Sequence, residues 1–325
     1  MKLSVLDRSR TRTGVGHAEA LRDTVAFAQA VEALGYHRFW VSEHHGVPGV
    51  AGSAPTVLAA AAAGATSRIR VGTGGVMLPN HRPLVVAEQF GVLDSLFPGR
   101  IDMGLGRSLG FTEPVRRALG QVESGDFDAQ LTELLGYFTD TGPVRAYPAP
   151  GRRVPAFVLA TGAGAAVAAR YGLPLVIGGF RGEEAMLEAI SGYRSTFRPS
   201  PWAEEPYVMV STTVAVAETT EDAWRLLVPE AWSMAYSRTH GEFPPLRAPE
   251  EILDLTMRPR ERQYFEESLR GHIYGTLTEA AKSLDELAAR TTADEFLLTT
   301  STYDRTAQLR SYQHLATLQS PTPTP

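Results

Sequence analysis

At residues 39–46 the chain reads Phe39-Trp40-Val41-Ser42-Glu43-His44-His45-Gly46, an apolar run that ends in an acid and two histidines before a glycine. Such a run is typical of a buried strand with polar groups at its C-terminal end. Neighbouring side chains of a strand point to opposite faces, so we expect only one of the two histidines to face a given pocket. Taken alone, the pair is better explained as two surface loop histidines, and the sequence downstream decides between these interpretations.

The composition limits the class of protein. The 325 residues are 43% hydrophobic and 21% charged, which is typical of a globular chain with a large core. The net charge of -5, with acids and bases interleaved, argues against nucleic acid or an anionic membrane as a partner. The absence of cysteine excludes disulfides and zinc-thiolate sites. Without a signal peptide or a membrane-spanning run, we expect a cytoplasmic protein.

Short apolar runs alternate with longer amphipathic runs along the chain. Strands are predicted at residues 2–7, at the run that leads to His44, and at 69–73, 101–105, 156–160, 175–177, 207–217 and 295–300. Helices are predicted at 17–34, 55–65, 83–97, 127–138, 162–171, 183–197, 221–236 and 303–318. Eight such alternations imply parallel strands joined by crossovers, and they predict an α/β fold, a (β/α)8 TIM barrel in one domain over residues 1–325. An open doubly wound sheet is the alternative, and the proline-rich residues 320–325 are predicted to be a disordered tail.

In a TIM barrel the loops after the C-terminal ends of the strands form the active site. Strand three is followed by glycines 72, 74 and 75, where backbone approaches a ligand closely or adopts unusual dihedral angles. Strand four is followed by Arg107 among glycines, which suits an anion. Strand five runs through residues 161–165 into a helix whose free N–H groups favour phosphate. A flexible turn, a surface salt bridge and an ordinary small-residue turn are the respective alternatives.

Together these tips meet the needs of flavin mononucleotide (FMN): an anion site, a flat slot for the ring and a proton-handling group. A Rossmann site fits poorly because the GxGxxG spacing is incomplete. No metal is predicted, since His44 and His45 lack the spacing and the third ligand that zinc needs. The residues predicted to bind the cofactor are Glu43, Gly74, Gly75, Arg107, Thr161, Gly162, Ala163, Gly164 and Ala165.

Four segments, in the same order, resemble the bacterial luciferase-like flavin monooxygenases of the natural-product tailoring type. They are Glu43-His44-His45, residues 71–79, residues 97–104, and the turn after strand five with Tyr171-Gly172-Leu173-Pro174. The resemblance covers nearly the whole chain. It implies a homodimer that uses O₂ and reduced FMN (FMNH₂) from a separate flavin reductase. It also implies that His44 is catalytic, that Arg107 holds the FMN phosphate, and that a cis peptide joins Gly74 to Gly75 beneath the ring.

The sequence departs from the best-known members of that family at several pocket positions. Those members carry a cysteine at the position of Gly106, an aromatic residue at that of Gly110, and an acid and a serine at those of residues 161 and 162. The smaller residues here predict a roomier substrate pocket. This pocket is predicted to be bordered by His45, Gly106, Leu109 and Gly110.

The segment from His240 to His272 lies where the family often has a mobile loop over the flavin. It is charged, and Arg258 and Arg260 lie close together in it. We therefore predict a lid at residues 240–272 that keeps water from the flavin. A solvated excursion with one amphipathic helix is the alternative.

The sequence thus predicts an FMN-dependent monooxygenase that oxygenates a small organic substrate, such as a polyketide-like compound, an aldehyde or a ketone. His44 is expected to provide acid–base assistance, because imidazole changes its charge near neutral pH. Glu43 and His45 are expected to orient His44 or to border the pocket. A deazaflavin-dependent oxidoreductase on the same barrel and a non-catalytic flavin-binding protein are the alternatives.

Overall fold

The structure, a computed structural model, describes residues 1–109, 112–120, 125–179 and 182–319. Gly110 and the predicted tail at 320–325 lie outside the described residues. The described strands are β1 (Leu3–Asp7), β2 (Arg38–Val41), β3 (Arg70–Thr73), β4 (Val76–Met77), β5 (Ile101–Gly106), β6 (Ala156–Ala160), β7 (Leu175–Gly178), β8 (Val208–Thr212), β9 (Val214–Val216), β10 (Ile273–Gly275) and β11 (Glu295–Leu298).

The helices surround these strands in the order that the sequence predicts, with additions. They are α1 (His17–Ala33), α2 (Pro55–Ala65), α3 (Pro83–Leu96), α4 (Glu113–Ala118), α5 (Phe127–Phe138), α6 (Gly164–Tyr171), α7 (Glu183–Thr196), α8 (Thr220–His240), α9 (Pro249–Leu253), α10 (Pro259–Leu269), α11 (Leu277–Thr291) and α12 (Arg305–Ala316), with a 3₁₀ turn at Leu78–Asn80. Among the described residues, no helix combines the length and the apolar character needed to cross a bilayer.

Eight strands form a closed parallel barrel with helices. Their order is β3, β2, β1, β11, β8, β7, β6 and β5, and β3 pairs with β5 to close the barrel. The short β4 also pairs with β5, just after the Gly74–Gly75 bond. The predicted (β/α)8 TIM barrel is confirmed. The alternative of an open doubly wound sheet is wrong, because the two strands that would be its edges are paired with each other.

Three differences from the predicted elements bear on function. Strand β2 ends at Val41, so residues 42–45 extend beyond the strand. Predicted strand seven is divided into β8 and β9, and β9 pairs with β10 instead of continuing the barrel. Helix α11 is absent from the sequence prediction, although Thr276 and Glu279 form a capping box that marks its start.

The chain divides into two compact units, and the first comprises residues 1–39, 47–52 and the chain from 210 onward. The buried Glu295 of β11 accepts hydrogen bonds there from Ser4 and, at 3.1 Å, from Arg38 Nε. Helix α10 packs against α8 through Phe265, in an apolar cluster that includes Trp232. Segment 240–272 thus contributes the buried Ile252 and Phe265 to an apolar cluster of the first unit.

The second unit comprises residues 40–46 and 53–209. Its strands are tied together by Asp102, which is fully buried on β5. The Asp102 carboxylate accepts hydrogen bonds from Trp40 Nε1 at 3.1 Å, Arg70 Nε at 3.0 Å and Arg70 Nη2 at 2.6 Å. A Cβ at Gly104 would lie 2.0 Å from the Thr73 carbonyl oxygen, so only glycine allows these strands to approach so closely. The strands of this unit are thus held together by buried hydrogen bonds and close backbone packing.

Candidate functional site

Four strand tips of the second unit lie side by side. Strand β4 pairs with β5 through Val76 and Leu105, and β5 pairs with β6 through Leu105 and Val158. The Gly74 N–H donates to the Val41 carbonyl oxygen at 2.7 Å, which connects the tip of β3 to that of β2. Because all these strands are parallel, residues 42–46, 74–77, 106–109 and 161–165 meet at one edge of the barrel.

Two glycines form a surface of bare backbone, which we call the glycine floor (Gly74 and Gly75). The peptide bond between them is cis, as the resemblance implies. A Cβ at Gly75 would lie 2.8 Å from the Gly104 carbonyl oxygen, closer than a real Cβ tolerates. This position therefore accepts no side chain without a shift of β5, and it presents backbone to a flat ligand.

The neighbouring tips provide groups for an anion. Arg107 directly follows β5, is exposed, and has no ion pair or side-chain hydrogen bond with any described residue. Helix α6 begins at Gly164, and no side chain caps its N-terminus at Ala163. An uncapped helix start leaves N–H groups and the positive end of the helix dipole available to an anion. These residues fit a phosphate group, and their role in FMN binding stays a prediction.

The two histidines of the β2 tip belong to different hydrogen-bond pairs. His44 Nδ1 lies 3.1 Å from Ser42 Oγ, whereas His45 Nε2 donates to Glu43 Oε1 at 2.6 Å. The two histidines thus have different partners, although residues 42–45 lie beyond the end of β2. The expectation that Glu43 and His45 orient His44 or border the pocket stays a prediction. Sequence reasoning missed Ser42, although its i, i+2 spacing to His44 is a usable signal.

Glu43 is a buried hub between the β2 tip and β4. Its Oε1 atom also accepts from His81 Nε2 at 2.8 Å, and its Oε2 atom accepts from the Met77 N–H at 2.8 Å. Burial alone would raise the pKa of Glu43, but the hydrogen bonds from His45, His81 and Met77 outweigh it and lower the pKa to about 2. The carboxylate thus anchors the backbone just beyond the glycine floor. A direct contact of Glu43 with the cofactor stays a prediction.

Acid should weaken the fold through Glu43. Its folded-state pKa of about 2 lies below the ordinary value of 4.5, so the carboxylate stabilises the protein above pH 4.5 and loses this effect as the pH falls toward 2. We expect a loss of about 1 kcal/mol from this group by pH 3.5. In urea unfolding, the stability difference between wild type and Glu43→Gln should therefore shrink between pH 6 and pH 3.5. A difference that stays constant over this pH range would contradict this assignment.

The other predicted pocket residues divide between the two units. Gly106 has open space at its Cβ position, with the Val76 carbonyl oxygen 3.8 Å away, and Leu109 is half-buried. Arg258 directly precedes α10 and Arg260 lies in its first turn, so both belong to the other compact unit. A place for these arginines at the substrate pocket stays a prediction. The lid at residues 240–272 stays a prediction.

Known proteins resemble this chain along nearly its whole length. The profile of the luciferase-like monooxygenase family matches residues 1–295. The protein YvbT of Bacillus subtilis is 39% identical, over 97% of this chain and 95% of its own length. A luciferase-like monooxygenase of Escherichia coli K12 is 34% identical, over 95% and 94%. The N-acetyl-S-alkylcysteine monooxygenase of B. subtilis is 32% identical, over 97% of each chain.

Solved structures share the fold. The apo form of MsnO8 superposes with a TM-score of 0.88 at 32% identity, over 98% of this chain and 97% of its own. Two matches at 16% identity show the fold alone. They are the oxygenating constituent of 3,6-diketocamphane monooxygenase of Pseudomonas putida, in complex with FMN (TM-score 0.74, over 97% and 96%), and an F420-dependent secondary alcohol dehydrogenase (TM-score 0.67, over 98% of each). Because the family profile and relatives above 30% identity span almost the entire sequence, the chain belongs to the luciferase-like monooxygenase family.

Proposed function

We propose that this protein is an FMN-dependent monooxygenase that uses reduced flavin and O₂ to oxygenate a small organic substrate. One observation carries the proposal: Arg107 and the uncapped start of α6 lie on adjacent strand tips, next to the glycine floor. A phosphate at the positive tips and a flat ring on bare backbone is the arrangement that FMN requires.

The chain's own residues have separate tasks at this site. When bound, reduced flavin supplies the electrons for the reaction with O₂. Arg107 and the first N–H groups of α6 hold the phosphate, and Glu43 keeps the backbone beyond the glycine floor in place through the Met77 N–H. Ser42 restrains His44 at Nδ1, and the His44 imidazole is the group that holds or moves a proton.

Removing the guanidinium of Arg107 should weaken FMN binding selectively. A charge-assisted hydrogen bond contributes about 1.5–3 kcal/mol, so Arg107→Ala should raise the Kd for FMN by about 10- to 100-fold. Riboflavin, which lacks the phosphate, should bind both proteins equally in a titration of flavin fluorescence. Arg170→Ala, at the other end of α6 and paired with Asp128 at 2.6 Å, is the matched control and should change neither Kd. An equal loss for riboflavin, or no loss for FMN, would contradict the phosphate role.

A deazaflavin-dependent oxidoreductase is the second candidate, because the barrel is shared with the F420-dependent secondary alcohol dehydrogenase. The monooxygenase name of a relative at 32% identity, together with the Glu43-His44-His45 tip, favours FMN. Absorbance titrations with FMN and with F420 distinguish the two. Oxygen consumption with reduced FMN separates an enzyme from a non-catalytic flavin-binding protein. The substrate panel should include an N-acetyl-S-alkylcysteine, ketones and aldehydes.

The protein partners are proposals as well. A separate flavin reductase would supply reduced FMN, and a second copy of the chain would complete a homodimer. Support for the homodimer comes from large apolar side chains that are exposed on two helices of the second unit. They are Val57 on α2 and Val85, Val92 and Leu96 on α3.

A further inference from the structure

A cavity lies within the first unit, and its lining residues are distant in sequence from every residue of the proposed flavin site. Its volume is about 440 Å³, within the range of small-molecule sites. It is bounded by the C-terminal part of α8, the start of α10 and the chain between them. We call it the α8–α10 cavity, and its lining residues include Trp232, Tyr236, Arg238, Arg247, Arg258 and Arg260.

The α8–α10 cavity has an excess of basic side chains. Four arginines and one acid, Glu261, line it, and with the two carboxylates that pair with lining arginines the formal charge is +1. Arg238 pairs with Glu267 at 3.2 Å and Arg247 with Glu251 at 3.1 Å. The remaining two arginines have no carboxylate partner among the described residues. Like charges held together in this way favour a bound anion.

The two arginines without a carboxylate differ in their contacts. Arg260 donates to the Tyr264 hydroxyl at 3.0 Å, and its guanidinium lies 5.5 Å from the centre of that ring. The Arg258 side chain has no hydrogen bond or ion pair with any described residue. A guanidinium binds phosphate or carboxylate oxygens with two parallel N–H groups, so both side chains suit an oxyanion.

An aromatic wall lines one side of the cavity. Trp232 is only 5% exposed, and the Arg247 guanidinium lies 5.2 Å from the centre of its ring. Tyr236 lies beside Trp232 with ring centres 5.2 Å apart, and His240 stacks on Tyr236 at 3.9 Å. The half-buried Tyr236 and the exposed His240 thus provide flat ring surfaces to a ligand.

We propose that the α8–α10 cavity binds a phosphorylated small molecule that carries a flat ring. Phosphate suits the site better than a single carboxylate, since it brings more charge and three acceptor oxygens to the arginines. The ring of the ligand packs against the aromatic wall. This site is additional to the flavin site and does not depend on the chemistry proposed there.

ADP, which joins a flat base to phosphates, is a suitable probe. Calorimetric titration of the full chain, saturated with FMN so that the flavin site is filled, should show saturable binding of ADP. The double variant Arg258→Ala/Arg260→Ala should bind ADP at least about 10-fold more weakly. Tyr236→Leu removes a ring from the aromatic wall, and it should weaken ADP several-fold. Arg262→Ala, on the same helix but outside the cavity lining, is the matched control and should bind like wild type.

Further ligands test which chemical group of ADP the cavity recognises. Adenosine should bind far more weakly than ADP, and acetate, which carries a single carboxylate, should not compete with ADP. Arg107→Ala should leave ADP affinity unchanged, so the outcome is independent of the FMN proposal. Circular dichroism melting shows that each variant is folded. Absence of ADP binding to wild type, equal binding of adenosine, competition by acetate, or the same loss in Arg262→Ala would each overturn the proposal.

Discussion

His44→Ala is expected to lower turnover with reduced FMN and O₂ by about 10²- to 10⁴-fold, the usual contribution of an acid–base group. The affinity for FMN should stay nearly unchanged, because the phosphate and ring contacts proposed above come from Arg107, α6 and the glycine floor. The reason for the large effect is position: His44 extends past the end of β2 and is restrained at Nδ1 by Ser42. Oxygen consumption gives the turnover, and flavin fluorescence gives the affinity.

Neighbouring variants make this experiment specific. Ser42→Ala leaves the imidazole in place but removes its 3.1 Å partner, so we expect a smaller fall in turnover than in His44→Ala. His45→Ala removes a contact to Glu43 and leaves the Ser42–His44 pair intact, so it should also retain more activity. Full activity in His44→Ala would rule out the assigned role, and so would a larger loss in His45→Ala.

Asp102→Ala should lower the free energy of unfolding by about 3–5 kcal/mol, since removal of one partner leaves the other charge buried and unpaired. The Asp102 carboxylate is fully buried, and the Arg70 side chain that pairs with it is only 22% exposed. Trp40 also loses its acceptor in this variant. Urea unfolding at neutral pH measures the change.

An exposed pair provides the control for Asp102. Asp128 pairs with Arg170 at 2.6 Å, and both side chains are largely open to water. Asp128→Ala should therefore cost less than about 1 kcal/mol. If Asp102→Ala does not fold, Asp102→Asn keeps the shape and an acceptor oxygen, and it should show a smaller but measurable loss. A loss for both Asp102 variants no larger than that for Asp128→Ala would contradict the structural role.

Local signals account for the elements that sequence reasoning placed well. Helix α5 and strand β6 have the predicted bounds, since Asp126 caps the one and Pro155 precedes the other. Among the elements that were missed, α9, α10 and β10 lie in or next to a charged segment with weak apolar periodicity. The position of α10 depends on its packing against α8 through Phe265. The local sequence of this segment does not indicate that α8 is its packing partner.

The sequence by itself determined the barrel class, the parallel order of the strand–helix units and the tips that carry Glu43, His44, Gly74, Gly75 and Arg107. Only the tertiary structure decided which groups meet these residues. His81 reaches Glu43 from 38 positions away, and Trp40 and Asp102 meet across 62 positions. The register of neighbouring parallel strands sets such contacts, and it is a property of packing between distant segments. The spacing of residues within one segment therefore cannot predict these contacts between distant segments.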